Sequence, residues 1–175
     1  MTFKVIIPAR FASSRLPGKP LLDIAGKPMI QHVFERAKES QASEVLIATD
    51  NEQIMHVARE FGADVCLTRA DHLSGTDRLA EVVSERGFFD NDIIINVQGD
   101  EPCLPASLIN QVANDLLQHP DADIATLYSQ INQEKQVFDS NVVKVVMDNL
   151  GYALYFSRAP IPWMRDHFDQ QSTLP

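Results

Sequence analysis

A chain of 175 residues, 45% apolar and 22% charged, is long enough to bury a core and fits one domain of ordinary size, so residues 1–175 read as a single domain. Its formal net charge of −9 argues against nonspecific nucleic-acid binding and against an anionic membrane surface as partner, because both recruit basic faces. The longest apolar runs are a few residues, and no charged segment leads into a longer apolar one at the N-terminus, so neither a membrane span nor a signal peptide is expected.

The first strand is Val5-Ile6-Ile7-Pro8, and it feeds a loop from Ala9 to Pro20 that holds Arg10, Ser13, Ser14, Arg15, Gly18 and Lys19, with no acidic residue before Asp23. Leu21 to Ala25 is a short apolar piece closed by Gly26, and Pro28 suits the first turn of a helix expected at about 28–39, with Met29, Ile30, Val33, Phe34 and Ala37 on one face. Glu44–Thr49 reads as a second strand, and Asp50, with Gln53 three residues on, as the cap of a helix that Gly62 stops. Ala63–Thr68 is a third strand, with Cys66 a small buried residue inside it. A helix from Thr76 to Gly87 follows a polar loop. Asp92–Gln98 is the most apolar strand and reads as central, buried on both faces. Pro105 opens another helix, Asp123–Ser129 reads as a strand, and Gln133–Phe138 as a short helix. Val142–Met147 and Tyr152–Ser157, separated by Asp148-Asn149-Leu150-Gly151, carry a hairpin signal. Alternating strand and helix signals imply an α/β fold, an open and mostly parallel sheet with helices on both faces, made mixed by the late hairpin.

Ligands of such sheets sit beyond the carboxyl ends of the strands, where the loops 9–20, 69–76 and 98–102 fall. Neither GxGxxG nor GxxxxGK[ST] occurs, so the dinucleotide fingerprint and the P-loop are unsupported. A basic loop with small residues in an acidic chain is instead a candidate anion site, since lysine and arginine bring charge and exposed turn N–H groups form an anion nest; it is equally an ordinary solvated loop. Asp100, one glycine past the apolar strand, should share that edge. Mg²⁺ takes one or two carboxylates plus phosphate oxygens and water, which makes Asp100 the candidate ligand, Glu101 a weaker second, and a turn or cap aspartate the alternative. Ser74-Gly75-Thr76-Asp77-Arg78 opens a helix at the same edge and suits either a nucleoside contact or a plain cap. Gln98 could reach a bound sugar or base, or close a backbone hydrogen bond. The five histidines show no metal-ligand spacing and none is assigned a role. Cys66 and Cys103 are far apart and form no CxxC, which fits a reducing, cytoplasmic setting.

Taken together, Ile6–Arg10, Ser13–Leu21, Gly26–Met29, Ser74–Arg78, Asn96–Pro102 and Tyr155–Arg158 resemble the 3-deoxy-manno-octulosonate cytidylyltransferases, also called CMP-Kdo synthetases. The CMP-sialic acid synthetases share the opening loop in looser form. The resemblance implies a Rossmann-like fold of the nucleotide-diphospho-sugar transferase type, and a reaction in which CTP and the sugar acid Kdo give CMP-Kdo and pyrophosphate for lipopolysaccharide assembly. It implies that Arg10, Arg15 and Lys19, with Ser13 and Ser14, hold the triphosphate. It implies that Asp100 holds Mg²⁺, that Ser74, Gly75, Arg78 and Gln98 line the nucleotide site, and that Gln98 and Arg158 face the sugar acid. It gives Arg10, Lys19 and Asp100 the catalytic roles, and implies a cytoplasmic homodimer. Family chains run well beyond 175 residues, so this one is expected to be truncated at its C-terminus relative to them. A non-catalytic CTP-binding domain and transfer to another sugar acid such as sialic acid are the alternative readings.

Overall fold

The structure, a computed structural model, describes residues 2–12 and 16–163. The sequence reads as one domain; contacts within the chain group it into two compact units, Met1–Thr126 and Leu127–Pro175.

In the first unit, strand β1 (Phe3–Ala9) leads through a 3-10 turn at Lys19–Leu21 into a two-residue hairpin, β2 (Asp23–Ile24) and β3 (Lys27–Pro28). Ala25 and Gly26 take left-handed φ values of 52° and 84° there, as a tight hairpin turn requires, and Asp23 Oδ1 accepts from Gly26 N–H at 3.1 Å. Then come α1 (Met29–Lys38), β4 (Glu44–Thr49), α2 (Glu52–Glu60), β5 (Asp64–Leu67), α3 (Gly75–Arg86), β6 (Ile93–Asn96) and α4 (Ala106–Gln118).

The strands β5-β4-β1-β6 form one wholly parallel sheet in that order. Side chains alternate across it. Phe3, Val5, Ile7 and Ala9 of β1 face the stripes of α1, α2 and α4, including Ile30, Val33, Ile54 and Ile109. Ile6 of β1 faces the opposite way with Leu46 and Cys66, against Leu79 and Val82 of α3. Helices therefore cover both faces, three on one and α3 on the other. Paired on both edges and covered on both faces, Val5, Ile6 and Ile7 are wholly buried, which contributes about 1.5–3 kcal/mol per side chain.

Three details differ from expectation. The isoleucine-rich strand β6 stands at the edge of the sheet and β1 at its centre; among the described residues β6 pairs only with β1, and Ile93 and Ile94 are half-buried. The helix α2 is capped by Asn51, whose Oδ1 accepts from Ile54 N–H at 3.0 Å, and not by Asp50, which binds an arginine instead. Asp123–Ser129 forms no strand, and Ile124 within it is 83% exposed: β-prone residues without a neighbouring ladder stay irregular. Cys66 is buried, its thiol pushed up to about 11 by that burial.

In the second unit, a short helix α5 (Glu134–Phe138) precedes the antiparallel hairpin β7 (Lys144–Met147) and β8 (Ala153–Ser157), which is a sheet of its own and not an extension of the parallel one. Lys144 is buried and its Nζ donates to the carbonyls of Asp139, Val142 and Arg158 at 3.0, 2.7 and 2.7 Å.

Candidate active site

The chain winds from β1 to β4 and β5 toward one edge, then returns to β6 on the other side of β1. In open parallel sheets such a reversal opens a crevice beyond the carboxyl ends of the strands that flank it. Here that crevice is a cavity of about 210 Å³. Pro8, Ala9 and Arg10 line it from the end of β1, and Gln98, Gly99 and Asp100 from the end of β6. Lys19 and Pro20 come from the 3-10 turn, Met29 from the start of α1 and Gly75 from the start of α3.

Local chemistry explains each placement. The loop after β1 is closed by Gly18 N–H donating to the Phe11 carbonyl at 2.9 Å, with Gly18 at φ 69°, a conformation that costs glycine little. Pro20 sits in the first positions of the 3-10 turn, where its missing N–H leaves no intrahelical bond unmade, and the turn presents Lys19 to the cleft. On the facing side the β1–β6 ladder ends at the Ile6–Asn96 pair. Gly99 then passes so close to β1 that a Cβ there would lie 2.6 Å from the Pro8 carbonyl oxygen. Only glycine lets the two strand ends stay together at this point, and Asp100 follows it directly into the cleft.

The cleft is electrostatically unfinished. Lys19 Nζ donates to Asp100 Oδ2 at 2.7 Å. Arg10 Nη2 is enclosed yet has no hydrogen-bond partner among the described residues. Asp100 is the one carboxylate among the described lining residues. Among the described residues no cluster of three or more His, Cys, Asp or Glu could hold a metal ion by itself. A divalent cation of the Mg²⁺ type fits Asp100 when phosphate oxygens and water complete its shell.

Thus Arg10, Lys19, Gly75, Gln98 and Asp100 share one cleft. Ser13, Ser14 and Arg15 lie outside the described residues. Ser74 caps α3 in a reciprocal box: its Oγ accepts from Asp77 N–H at 3.1 Å and donates to Asp77 Oδ2 at 2.7 Å, and its own N–H donates to that oxygen at 3.0 Å. Those bonds hold the Asp77 carboxyl below the usual carboxylate range, with the nearby charges of His72 and Arg10 adding to them. Arg78 is not in the cleft lining. It is fully buried, with Nη2 donating to Asp50 Oδ2 at 2.7 Å and Nη1 to Thr68 Oγ1, which ties α3 to the ends of β4 and β5. Arg158 lies in the second unit, where Nη1 donates to the Ser140 carbonyl at 2.6 Å. Sequence reasoning missed Gly99 as a close-approach residue, although a glycine between an apolar strand and an aspartate was the available signal. It also missed Glu81, whose carboxylate accepts from Arg69 N–H at 3.1 and 3.2 Å and from His72, pinning the loop before α3.

A parallel sheet with a cationic pocket and a carboxylate at its switch point has the layout of an α/β domain that receives an anionic ligand. The family profile described as cytidylyltransferase matches residues 4–174. A 3-deoxy-manno-octulosonate cytidylyltransferase of Nitrosococcus oceani is 60% identical over 168 residues, covering 96% of this chain and 65% of that protein. One of the same name from Hahella chejuensis is 58% identical over 174 residues, covering 99% and 68%. A solved structure of CMP:2-keto-3-deoxy-manno-octonic acid synthetase complexed with CTP superposes with a TM-score of 0.87 at 44% identity, over 95% of this chain and 68% of that one. A Leptospira borgpetersenii cytidylyltransferase, at TM-score 0.57 and 24% identity over 67% of this chain and 50% of its own, shares the fold. The chain belongs to the 3-deoxy-manno-octulosonate cytidylyltransferase family. It spans 65% to 68% of the length of these curated relatives.

Proposed function

We propose that the cleft binds CTP with Mg²⁺ and that the protein transfers a cytidylyl group to 3-deoxy-D-manno-octulosonate, releasing pyrophosphate. The observation that carries this reading is the enclosed Arg10 Nη2, without a partner among the described residues, in one cleft with Lys19 and the Asp100 carboxylate at the sheet's switch point. A cationic donor held ready in a cavity suits an anion that arrives from outside. The relatives' names and the CTP-bound neighbour support cytidine as the base and Kdo as the acceptor.

On this reading the anomeric hydroxyl of the sugar acid attacks the α-phosphorus. A new P–O bond forms, the bond to the bridging oxygen breaks, the electron pair leaves with pyrophosphate, and the proton of the attacking hydroxyl passes to water. Arg10 and Lys19 stabilise the charge gathering on the β- and γ-phosphates, so positioning and electrostatics carry the catalysis. Asp100 would hold the cation, which when bound neutralises phosphate charge. Gly75 and Gln98 approach the nucleoside, with Gln98 within reach of the sugar acid. The fork of Arg158 suits the Kdo carboxylate by bidentate pairing. Arg15, Ser13 and Ser14 belong to the triphosphate loop by resemblance. The product serves lipopolysaccharide biosynthesis, and the working form is a cytoplasmic homodimer.

A pyrophosphate-release assay with CTP, Kdo and Mg²⁺ tests the proposal. Turnover is expected, and Asp100→Ala should lower it by about a thousandfold, the scale of removing one electrostatic stabiliser. Saturable CTP binding without turnover, or turnover indifferent to Asp100→Ala, would sink the assignment.

A further inference from the structure

Lys19 and Asp100 share the cleft as an ion pair, at 35% and 51% side-chain exposure. A pair so open to solvent is weak and readily opened. The proposed chemistry asks each partner to hold something else: Lys19 a phosphate oxygen, Asp100 a divalent cation. Their present pairing meets neither demand. An oxygen that accepts from an ammonium at 2.7 Å cannot also ligate a divalent cation without bringing two positive centres within a few ångströms. A triphosphate that takes Lys19 leaves the Asp100 carboxylate bare beside its own negative oxygens. Only when both ligands arrive do both released groups find opposite charge.

We infer, on the nucleotide-binding reading above, that the Lys19–Asp100 pair is an interlock coupling the two ligands. Nucleoside triphosphate and divalent cation bind cooperatively, because the first draws Lys19 off Asp100 and the second occupies the carboxylate set free. Coupling of this kind is reciprocal: the cation raises nucleotide affinity by the factor by which the nucleotide raises cation affinity. Arg10 stands outside the exchange, since its enclosed Nη2 offers the phosphates a contact that opens no hydrogen bond among the described residues.

Titration calorimetry of CTP on the purified protein and on Asp100→Asn, Lys19→Met and the double variant, in EDTA and in Mg²⁺, tests the interlock. Lys19→Gln provides a second, polar background. In EDTA, Asp100→Asn should tighten CTP binding by about two- to fivefold, the range that a partly exposed ion pair spans. That gain should vanish when Lys19 is already replaced. In Mg²⁺ the unaltered protein should gain affinity and Asp100→Asn should not. Equal tightening in all backgrounds would mean that Asp100 merely repels phosphate, and the interlock would fall. No tightening in any background would also overturn it. If the unaltered protein shows no saturable CTP binding in either buffer, the nucleotide reading fails and the interlock with it.

Discussion

Two arginines at the same rim of the sheet show how scaffold and site differ. Arg78 is wholly enclosed and two of its guanidinium nitrogens are bonded, to Asp50 and Thr68. Arg10 lines the open cavity, and among the described residues no carboxylate forms an ion pair with it. On the β4–β5 side, cations are neutralised by the protein itself: Arg86 pairs with Asp64 at 2.6 Å as well. On the β1–β6 side Lys4 pairs with Asp92 and Lys19 with Asp100, whereas Arg10 is left for something else to complete. The same residue type thus serves two ends: Arg78 is tied down by two of its nitrogens, with Nε left unpartnered among the described residues, whereas Arg10 lines the cavity.

Replacing each arginine by methionine should separate the two roles. Arg78→Met strips the partner from a carboxylate that is only 13% exposed, and should cost about 3 kcal/mol in urea unfolding, the lower end for breaking a buried pair. Arg10→Met removes an enclosed donor that has no partner among the described residues, so stability should move by less than about 0.5 kcal/mol. CTP affinity should fall tenfold or more, about 1.4 kcal/mol or above, and more than CMP affinity. If Arg10→Met unfolds the protein as readily as Arg78→Met, the distinction between the two sides of β1 is wrong.

A smaller effect is expected at the crossing of the strand ends. In Gly99→Ala the new methyl carbon would meet the Pro8 carbonyl oxygen at 2.6 Å, so the backbone of one strand end must move. Overpacking of this kind costs about 1–3 kcal/mol. Because Gln98 and Asp100 flank the glycine, CTP affinity should drop as well, whereas Gly75→Ala, whose Cβ would meet Pro8 at an ordinary 3.6 Å, should cost less in both measurements.

Next comes Ser74→Ala. The hydroxyl already serves the α3 cap in both directions. Its loss should therefore lower stability by about 1 kcal/mol, as for other caps, and change CTP affinity little. A large affinity loss with unchanged stability would return Ser74 to the nucleotide site.

Much of this organisation was legible in the chain, for identifiable reasons. Helical spacing of Ile30, Val33, Phe34 and Ala37 and the run Glu44–Thr49 report burial, and burial is local enough to read. Placement among neighbours is not. The run Ile93-Ile94-Ile95 reads as central because periodicity says nothing about which strands lie alongside, and the structure sets it at the edge. The convergence of Arg10, Lys19 and Asp100 followed from knowing that ligands collect at strand ends. The destination of Arg78 did not follow, because its partners Asp50 and Thr68 lie 28 and 10 residues away in sequence and nothing local announces them.

Glu81 offers the finest test of the scaffold side. Its carboxyl is held below the ordinary value of 4.5, chiefly by the hydrogen bond with His72, then by Arg69 N–H and the charges of His72 and Arg69; Arg69 is itself paired with Asp71. A carboxyl depressed in the folded state contributes stability that is complete above its unfolded value and disappears as pH falls through the folded one. The melting temperatures of the unaltered protein and of Glu81→Gln should therefore differ at pH 7 and converge as pH drops below about 4.5. Asp77 and Asp92, also held low, titrate in both proteins and cancel from the difference. Melting curves that stay parallel down to acid would mean that the loop before α3 is held by packing, not by the charge on Glu81. CTP affinity at pH 7 should change by less than for Gly99→Ala, because Glu81 holds the loop before α3 through Arg69 N–H, whereas Gly99 itself lines the cleft.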